Sequence, residues 1–507
     1  MPPPSVLIEN ALVLRDPGRG DAPEAADILI EGTTIKDIGP DLPAPADCQR
    51  LDAKGLLAIP GLINAHFHSP GNLLKGQLPG LPLELFMLYE VPPLAQSLPD
   101  PRSTRVCTLL GAAEMLRNGI TSVMDDAYHV PCVTPENVDA MAQAYADIGM
   151  RATLAIDQPN RIEYEKYPFL ADLLPAAIRA EMEAAPRQSD EELTEINAYL
   201  ISRWHNQHEG RIRAAVSCSA PHRVTDGYLQ SLNGLSLSHR LPFNMHILET
   251  RAQRVFGDVA LGKSLVQFAH DRGILHDQSV VIHAIWIDEN DIALLARANA
   301  MVAHNPICNL RLGSGIAPFR LWENAGLRLC LGSDEALSDD RINMFDVMKM
   351  TGLIHTLESD DWNHWPSAER ILQIALHGGA EALGRGHDLG RLAPGYQADI
   401  VLLDLDDLAF TPLNHLQRQL VFCENGRSVC HVFVAGKQVV EHGRLTQIDE
   451  KSLKEEAREI RRQQCATVIG NSAVKTLEPH YQEMLQRAYA QLQFGAYRGR
   501  TGGAHRQ

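Results

Sequence analysis

The chain has 507 residues, of which 45% are hydrophobic and 21% are charged, and its formal net charge at pH 7 is −17. This length exceeds one ordinary domain, and the composition is typical of a globular protein. An acidic chain disfavours nucleic acid and anionic membranes as partners, because both bind through basic surfaces.

Two features of the sequence indicate the cellular location of the protein. No stretch of the sequence approaches the roughly 18 uninterrupted apolar residues that cross a bilayer, and the first segment lacks a secretory signal. The nine cysteines are odd in number and have no paired spacing, which suits reduced thiols. We therefore expect a cytoplasmic protein that does not bind membranes.

Both ends of the chain have sequence patterns typical of β-strands. Apolar and polar residues alternate in the segments SVLIENALVL and ADILIEGTTIKDIG. A similar pattern is present near the other end, in ADIVLLDLDD and HVFVAGKQVVEHGRL. Such alternation, interrupted by Gly/Pro-rich turns, predicts antiparallel strands. We predict a small β-sandwich domain built from residues 1–59 and 389–447.

Between these ends, short apolar strands alternate with helical patterns. This alternation predicts an α/β fold, a (β/α)8 TIM-type barrel over residues 60–388, with its chemistry at the carboxyl ends of the strands. The predicted strands are Leu57–His68, Thr121–Asp126, Arg151–Asp157, Ile212–Ala220, Pro242–Glu249, Ser279–Trp286, Ala300–Pro306 and Arg328–Glu335. Residues from about 160 to 207 predict a helical insertion near the barrel mouth, and residues 448–507 predict a helical extension and tail.

The apolar run LLAIPGLINAHFH ends in His66 and His68. In a β-strand, side chains two positions apart point to the same face. Two imidazoles on one face, at the carboxyl end of a buried strand, are placed to share one metal ion. Taken alone, buried histidines are more often hydrogen-bonded core residues than metal ligands.

Later predicted strands end in residues of the same chemical kind. The fifth strand provides His246 and Glu249, the sixth provides His283, and the eighth provides Asp334. Each of these residues terminates an apolar run, where the mouth of a barrel would make a charge tolerable. The repetition favours a functional site over chance.

As a set, the segments PGLINAHFHSPGNLLKG, NMHILET, LGSDEALSDD and GRLAPGYQADIVLLD closely resemble the amidohydrolase superfamily. More narrowly, they resemble the branch of S-adenosylhomocysteine/5′-methylthioadenosine deaminases, guanine and 8-oxoguanine deaminases, and triazine hydrolases, over roughly residues 5–445. The resemblance implies metal ligation by four residues: His66, His68, His246 and Asp334. It also implies that Glu249 and His283 are the acid–base and hydroxide-orienting groups.

The chemistry of this ligand set supports one metal ion. Three neutral imidazoles and one carboxylate suit Zn²⁺ or, alternatively, Fe²⁺, and leave a position open for water. The alternative role for Asp334 is to support a ligand histidine without contacting the metal itself. Dinuclear relatives usually carry a lysine at the end of the fourth strand, but RAAVSCSAPH contains none. We expect one divalent ion.

The expected mechanism assigns a separate task to each catalytic residue. A bound divalent ion lowers the pKa of its water from 15.7 towards about 7. Asp334 would accept the proton of that water, His283 would hold the hydroxide, and Glu249 would donate a proton to a ring nitrogen of the substrate. A salt bridge with Arg251 or Arg254 is the alternative role for Glu249.

Residues beyond the metal centre are candidates for substrate contact. His222 lies just past the fourth strand and matches a substrate-facing histidine of the branch, with packing of the loop as its alternative. Its neighbour Arg223 departs from the small residue expected there. It would reach either an anionic or carbonyl group of the substrate or a surface carboxylate, and the second interpretation is favoured. Asn305 follows the seventh strand and would either hydrogen-bond to substrate or shape the turn.

Glu335 is the clearest departure from the family pattern, because relatives usually have a small residue after the aspartate ligand. Facing the pocket, it would favour a cationic or amine-rich substrate. Facing outward, it would pair with Arg341, and this alternative is the favoured one.

The favoured function is a mononuclear metal-dependent aminohydrolase that attacks a C=N carbon of a nitrogen heterocycle with metal-bound hydroxide and releases ammonia. The same site could instead hydrolyse a C–Cl bond, a C–NHR bond or a cyclic amide. A non-catalytic binding barrel is the remaining alternative. The expected partner is a small heterocyclic substrate, and we expect a homo-oligomer, which is common for this architecture.

Overall fold

A computed structural model describes residues 5–43, 45–339, 341–464 and 472–492. Within these ranges no helix is both long enough and apolar enough to span a membrane. The cysteines in the same ranges are all free thiols.

The strands, numbered in chain order, are β1 (Val6–Val13), β2 (Glu24–Glu31), β3 (Thr34–Gly39), β4 (Gln49–Asp52), β5 (Leu56–Pro60), β6 (Leu62–Phe67), β7 (Ile120–Ala127), β8 (Arg151–Ile156), β9 (Ile212–Ala214), β10 (Val216–Ser217), β11 (Phe243–Ile247), β12 (Ser279–His283), β13 (Met301–His304), β14 (Arg328–Leu331), β15 (Ile400–Asp404), β16 (Val429–Val434), β17 (Lys437–Glu441) and β18 (Arg444–Leu445).

The α-helices are α1 (Leu83–Glu90), α2 (Pro101–Arg117), α3 (Pro135–Ile148), α4 (Leu170–Leu173), α5 (Ala176–Ala184), α6 (Asp190–Trp204), α7 (Gln207–Gly210), α8 (Asp226–His239), α9 (Arg251–Phe256), α10 (Leu265–Asp271), α11 (Glu289–Arg297), α12 (Pro306–Arg311), α13 (Phe319–Asn324), α14 (Ala336–Asp339), α15 (Met344–Ile354), α16 (Ala368–Gln373), α17 (Gly379–Ala382), α18 (Leu416–Phe422), α19 (Glu450–Gln464) and α20 (Ser472–Gln491).

Strands from both chain ends form one sheet, here called the terminal sheet. Its strand order is β18-β17-β16-β15-β5-β1-β2-β3, and β4 pairs with β1. Strand β15 runs antiparallel to β5 with Ile400 opposite Pro60, so the C-terminal segment completes a sheet begun at the N-terminus. Apolar side chains such as Ile28 and Phe433 are buried along it. The structure forms this region as a single sheet, and its description as a sandwich domain stays a prediction.

The strands that carry the predicted site form two parallel sheets. One contains β6 to β9 and the other contains β10 to β14, each in sequence order. Backbone hydrogen bonds link the sheets at both margins, from Ala215 N to Leu154 O at 2.7 Å and from Asp334 N to His66 O at 3.0 Å. This confirms the α/β class with parallel strands. Closure into an eight-stranded barrel stays a prediction.

Two of the predicted strands are each divided in the structure. The strand predicted as Leu57–His68 breaks at Gly61, so β5 joins the terminal sheet and β6 begins a parallel sheet. A side chain at Gly61 would place its Cβ 2.1 Å from Thr121 Oγ1, and this close approach lets the chain pass between the sheets. The strand predicted as Ile212–Ala220 is likewise divided at Ala215 into β9 and β10.

The predicted insertion is helical, and it packs against the C-terminal extension. Helix α6 begins with a capping box, in which Ser189 and Glu192 each accept a hydrogen bond from the other's backbone N–H. Apolar side chains of α20, including Tyr481, pack in one buried cluster with Leu85 of α1 and Leu170 of α4. The predicted tail falls on residues 493–507, outside the described residues.

Candidate metal centre and active site

Three buried imidazoles meet where β6 and β11 end. His66 and His68 close β6, and His246 lies in β11. Because the carboxyl ends of parallel strands meet at one edge, these side chains converge. A nitrogen from each ring lies within 4.8 Å of the other two, and Nε2 of His66 is 3.3 Å from Nε2 of His246. The arrangement can hold one metal ion between the rings.

Asp334 completes the group from the turn after β14. Its Oδ1 lies 3.5 Å from His68 Nε2 and 3.7 Å from His66 Nε2. The backbone φ of Asp334 is +63°, and this left-handed conformation turns the chain at the point where the carboxylate enters the site. Gly332, two residues earlier, packs directly against two neighbours of the site, because a Cβ there would lie 2.7 Å from His66 Cβ and 2.5 Å from Asn305 Oδ1.

Hydrogen bonds behind the imidazoles fix their orientation. The Nδ1 of His68 bonds to the Asp126 carbonyl, and the Nδ1 of His246 bonds to the Ser219 carbonyl at 2.7 Å. Because a carbonyl only accepts, each Nδ1 carries a proton, and in the neutral ring each Nε2 presents a lone pair to the centre. This is the tautomer that a metal-binding histidine needs.

Charge at the centre also fits a divalent cation. Burial and the neighbouring imidazoles hold the pKa values of His66 and His246 well below their ordinary range, so both rings are neutral donors. Burial acts to lower the pKa of His68 as well, but the carboxylates of Asp334, Asp126 and Asp157 raise it to about 9. The carboxylates therefore favour a positive charge among them, and the donor set suits Zn²⁺ or Fe²⁺.

Two further groups of possible ligands lie beside the first. One consists of His66, His283 and Asp334, and the other was not predicted from the sequence. Asp126, Asp157 and His246 also offer ligand atoms within 4.8 Å of one another. Oδ1 of each aspartate is buried and has no hydrogen-bond partner among the described residues. The group shares His246 with the first set, so the two sets compete for one imidazole. Both aspartates end predicted strands, and that position was the signal that could have identified them.

Glu249 and His283 lie next to this centre. His283 Nε2 is 3.5 Å from Glu249 Oε2 and 3.5 Å from Asp334 Oδ2. The other ring nitrogen of His283 bonds to Asn309 Oδ1 at 2.9 Å. Burial raises the pKa of Glu249, and although His283 opposes the shift, Asp334 adds to it. A carboxyl group whose protonated form is favoured by burial therefore faces a histidine and a carboxylate inside one cavity.

The cavity above the centre has a volume of about 600 Å³, part of which is open to solvent. Its walls combine apolar side chains, such as Leu83 and Met87 of α1, with polar groups that include Arg223 and Glu335. A mostly apolar space with a few convergent polar groups is typical of a small-molecule site.

Glu335 faces this cavity, so the favoured outward orientation was wrong. The side chain is buried, and its Oε2 lies 3.5 Å from the hydroxyl of Tyr128, which also hydrogen-bonds to Glu90. Burial, followed by the charge of Glu90, raises the pKa of Glu335 well above its ordinary range. The expected outward partner Arg341 instead pairs with Asp346 at 3.3 Å.

The other substrate candidates occupy different places. His222 is buried with its ring centroid 4.9 Å from that of Phe256 and is not among the described residues that line the cavity. Asn305 lies behind His283, with its Nδ2 3.4 Å from His283 Nδ1. Their roles as substrate contacts stay predictions. Arg223 is buried in the cavity wall, so the favoured pairing with a surface carboxylate was wrong.

Comparison with known proteins identifies the family. Residues 57–439 match the model of the amidohydrolase family. The chain belongs to the amidohydrolase family. It is 31% identical over 435 residues to the 5-methylthioadenosine/S-adenosylhomocysteine deaminase of Thermococcus kodakarensis, covering 85% of this chain and 93% of that protein.

Solved structures agree with this assignment. An adenosine deaminase from Xanthomonas campestris with bound zinc aligns at a TM-score of 0.78 and 26% identity, covering 92% of this chain and 100% of that one. The atrazine chlorohydrolase of Arthrobacter aurescens, complexed with zinc, shares the fold at a TM-score of 0.75 and 22% identity, covering 90% and 99%. The amidohydrolase family predicted from the strand-end motifs is confirmed. So is the expected enzyme class, a hydrolase acting on carbon–nitrogen bonds in cyclic compounds.

Proposed function

We propose that this amidohydrolase removes the exocyclic amino group from a C=N carbon of a nitrogen heterocycle and releases ammonia. The observation that carries the proposal is the convergence of Glu249, His283 and Asp334, with both carboxylates 3.5 Å from the same imidazole nitrogen. An acid, an orienting base and a proton acceptor are what hydrolytic deamination requires. The adenosine-type names of the relatives favour an amino-purine ring.

We propose that His66, His68, His246 and Asp334 hold one divalent metal ion, which we take to be Zn²⁺, with Fe²⁺ as the alternative. When bound, this ion would lower the pKa of a coordinated water and so supply a nucleophile at neutral pH. One ion is favoured over two because each further ligand group shares a histidine with the first, His246 in one case and His66 in the other. Zinc in the two structural neighbours supports the choice of metal.

Each remaining group then has one task. Asp334 accepts a proton from the attacking water, because its carboxylate reaches both the ligand imidazoles and His283. His283 orients that water towards the ring carbon, and its hydrogen bond to Asn309 fixes the direction of the lone pair. Glu249 enters protonated, a form that burial favours by raising its pKa, and donates to the adjacent ring nitrogen. Protonation makes the carbon electrophilic and allows the amine to leave.

The proposal also includes the architecture around the site. We propose that the two parallel sheets close into one (β/α)8 barrel over residues 60–388, because backbone hydrogen bonds link them at both margins. The terminal sheet would form the separate small domain. The free cysteines of the described residues support a reducing cytoplasmic location. A homo-oligomer stays our expectation.

Ammonia release from zinc-loaded protein, with a chelator control and product mass, tests the proposal. The panel holds amino-purines and their nucleosides, pterins, pyrimidines and triazines. Release that disappears with the metal supports deamination and identifies the ring. Chloride, an alkylamine or a ring-opened amide as product would instead support the alternative leaving groups. Binding without turnover of any compound would support a non-catalytic barrel.

A further inference from the structure

A buried arginine in the cavity wall has no role in the chemistry described so far. Arg223 lies in the turn after β10, its exposed fraction is 5%, and it lines the cavity together with Glu249. The same turn includes Ser219, whose carbonyl accepts the hydrogen bond of His246 Nδ1 at 2.7 Å. The backbone that orients a proposed metal ligand therefore also places this guanidinium.

The guanidinium of Arg223 has few hydrogen-bond partners among the described residues. Its one side-chain hydrogen bond to a described residue is a long one, from Nη1 to Ser219 Oγ at 3.5 Å. Its Nε has no hydrogen-bond partner among the described residues, and the carboxylates of Glu249, Asp157 and Glu84 act on it as nearby charges. Arg151, which is equally buried, shows what the fold provides when an arginine is structural, since its Nε and Nη2 each lie 2.9 Å from a different oxygen of Asp399.

A buried guanidinium whose N–H groups lack good acceptors costs free energy, because the attraction of nearby carboxylates does not replace the hydrogen bonds that the N–H groups made to water. Packing does not explain Arg223, since an apolar side chain of similar size would fill the same space without that cost. A ligand that enters the cavity and accepts its hydrogen bonds would supply the missing partner. The planar N–H fork of arginine matches a planar oxygen acceptor.

We propose that Arg223 is a specificity-determining residue that binds an oxygen acceptor of the substrate, either a ring carbonyl or a carboxylate. The proposal rests on the proposed function and deepens it. It predicts that the preferred substrate carries such an oxygen in addition to its amino group. Glu249 would then protonate a ring nitrogen while Arg223 holds the oxygen in the same cavity.

Two matched pairs of compounds distinguish the two sources of oxygen. Guanine and 2-aminopurine share the amino group, but guanine alone has the ring carbonyl. S-adenosylhomocysteine and 5′-methylthioadenosine share the adenine, but the first alone has a carboxylate. We expect wild type to favour the oxygen-bearing member of one pair. The Arg223→Met variant should reduce that preference by about tenfold or more, mainly through KM, since a charged hydrogen bond is lost.

Further variants and binding measurements keep the test independent of turnover. Arg223→Lys keeps the charge without the fork and should lose an intermediate part of the preference, whereas Arg427→Met, at a side chain that is 66% exposed, should lose none. Calorimetry on the same four compounds measures affinity directly. Because the side chain of Arg223 makes one long hydrogen bond to the described residues, the melting temperature of Arg223→Met should be no lower than that of wild type.

The outcomes separate this inference from the proposed function. A selective loss of affinity in Arg223→Met without ammonia release from wild type would support oxygen recognition and overturn deamination. Ammonia release with equal preferences in wild type and Arg223→Met would overturn the role of Arg223 alone. Failure of all four compounds to bind, or a lower melting temperature of Arg223→Met with no change in preference, would also overturn it.

Discussion

Replacement of Glu249 by glutamine tests the proton-donor assignment most sharply. Glutamine preserves the size of the side chain and its contact with His283, which lies 3.5 Å from the carboxylate. It has no acidic proton, so the transfer to the ring nitrogen is lost. General acid catalysis contributes about 100- to 10,000-fold to rate, or about 3–5 kcal/mol of transition-state stabilisation. We expect kcat to fall by that factor.

The metal content should not change in Glu249→Gln, because Glu249 belongs to none of the three possible ligand groups. Stability should not fall either. Burial raises the pKa of the carboxyl in the folded state, so the ionised form costs stability as the pH rises above the ordinary value, and glutamine does not carry that cost. The melting temperature of the variant should equal or exceed that of wild type at neutral pH.

The pH profile provides a second readout of the same residue. Glu249 donates only when protonated, so the activity of wild type should fall as the pH rises through its elevated pKa. The residual activity of Glu249→Gln should lack this limb. Kinetics at saturating substrate, metal analysis and thermal melts would be compared with Glu455→Gln, at a side chain that is 62% exposed. Full turnover in Glu249→Gln would refute the assignment.

Three further predictions follow from particular contacts. His246→Ala removes an imidazole that belongs to two of the three possible ligand groups, so metal analysis should find bound zinc reduced and ammonia release lost. Gly332→Ala places a methyl group 2.7 Å from the Cβ of His66, which should lower the melting temperature through about 1–3 kcal/mol of overpacking and reduce zinc affinity. Arg151→Met leaves Asp399 buried without its ion pair, and denaturant melts should show a loss of about 3–5 kcal/mol. An unchanged melting curve in either of the last two variants would contradict the packing or ion-pair argument.

The strand-end residues were predictable because their positions follow from a simple regularity. Parallel strands bring their carboxyl ends to one edge, so polar residues that terminate apolar runs converge without knowledge of any loop. His66, His246, His283 and Asp334 meet in the structure for this reason. The helical insertion could also be predicted, because helical periodicity is visible within a short segment of sequence.

Residues in turns were less predictable. The orientations of Glu335 and Arg223 depend on the turns that precede them, in which Asp334 and Ser219 have φ values of +63° and +59°. Neither conformation is evident from composition, and both side chains point inward rather than outward. The break at Gly61 depends on its closeness to Thr121, a contact between distant parts of the sequence.

A zinc titration of chelator-treated protein, followed by ammonia release from the most active amino-heterocycle, tests the central claim most directly. The account predicts that activity rises linearly and stops rising at one equivalent of zinc, because His246 serves a single ion. A rise that continues to two equivalents would show that Asp126 and Asp157 hold a second ion. Full ammonia release before any zinc is added would contradict the metal-dependent mechanism itself.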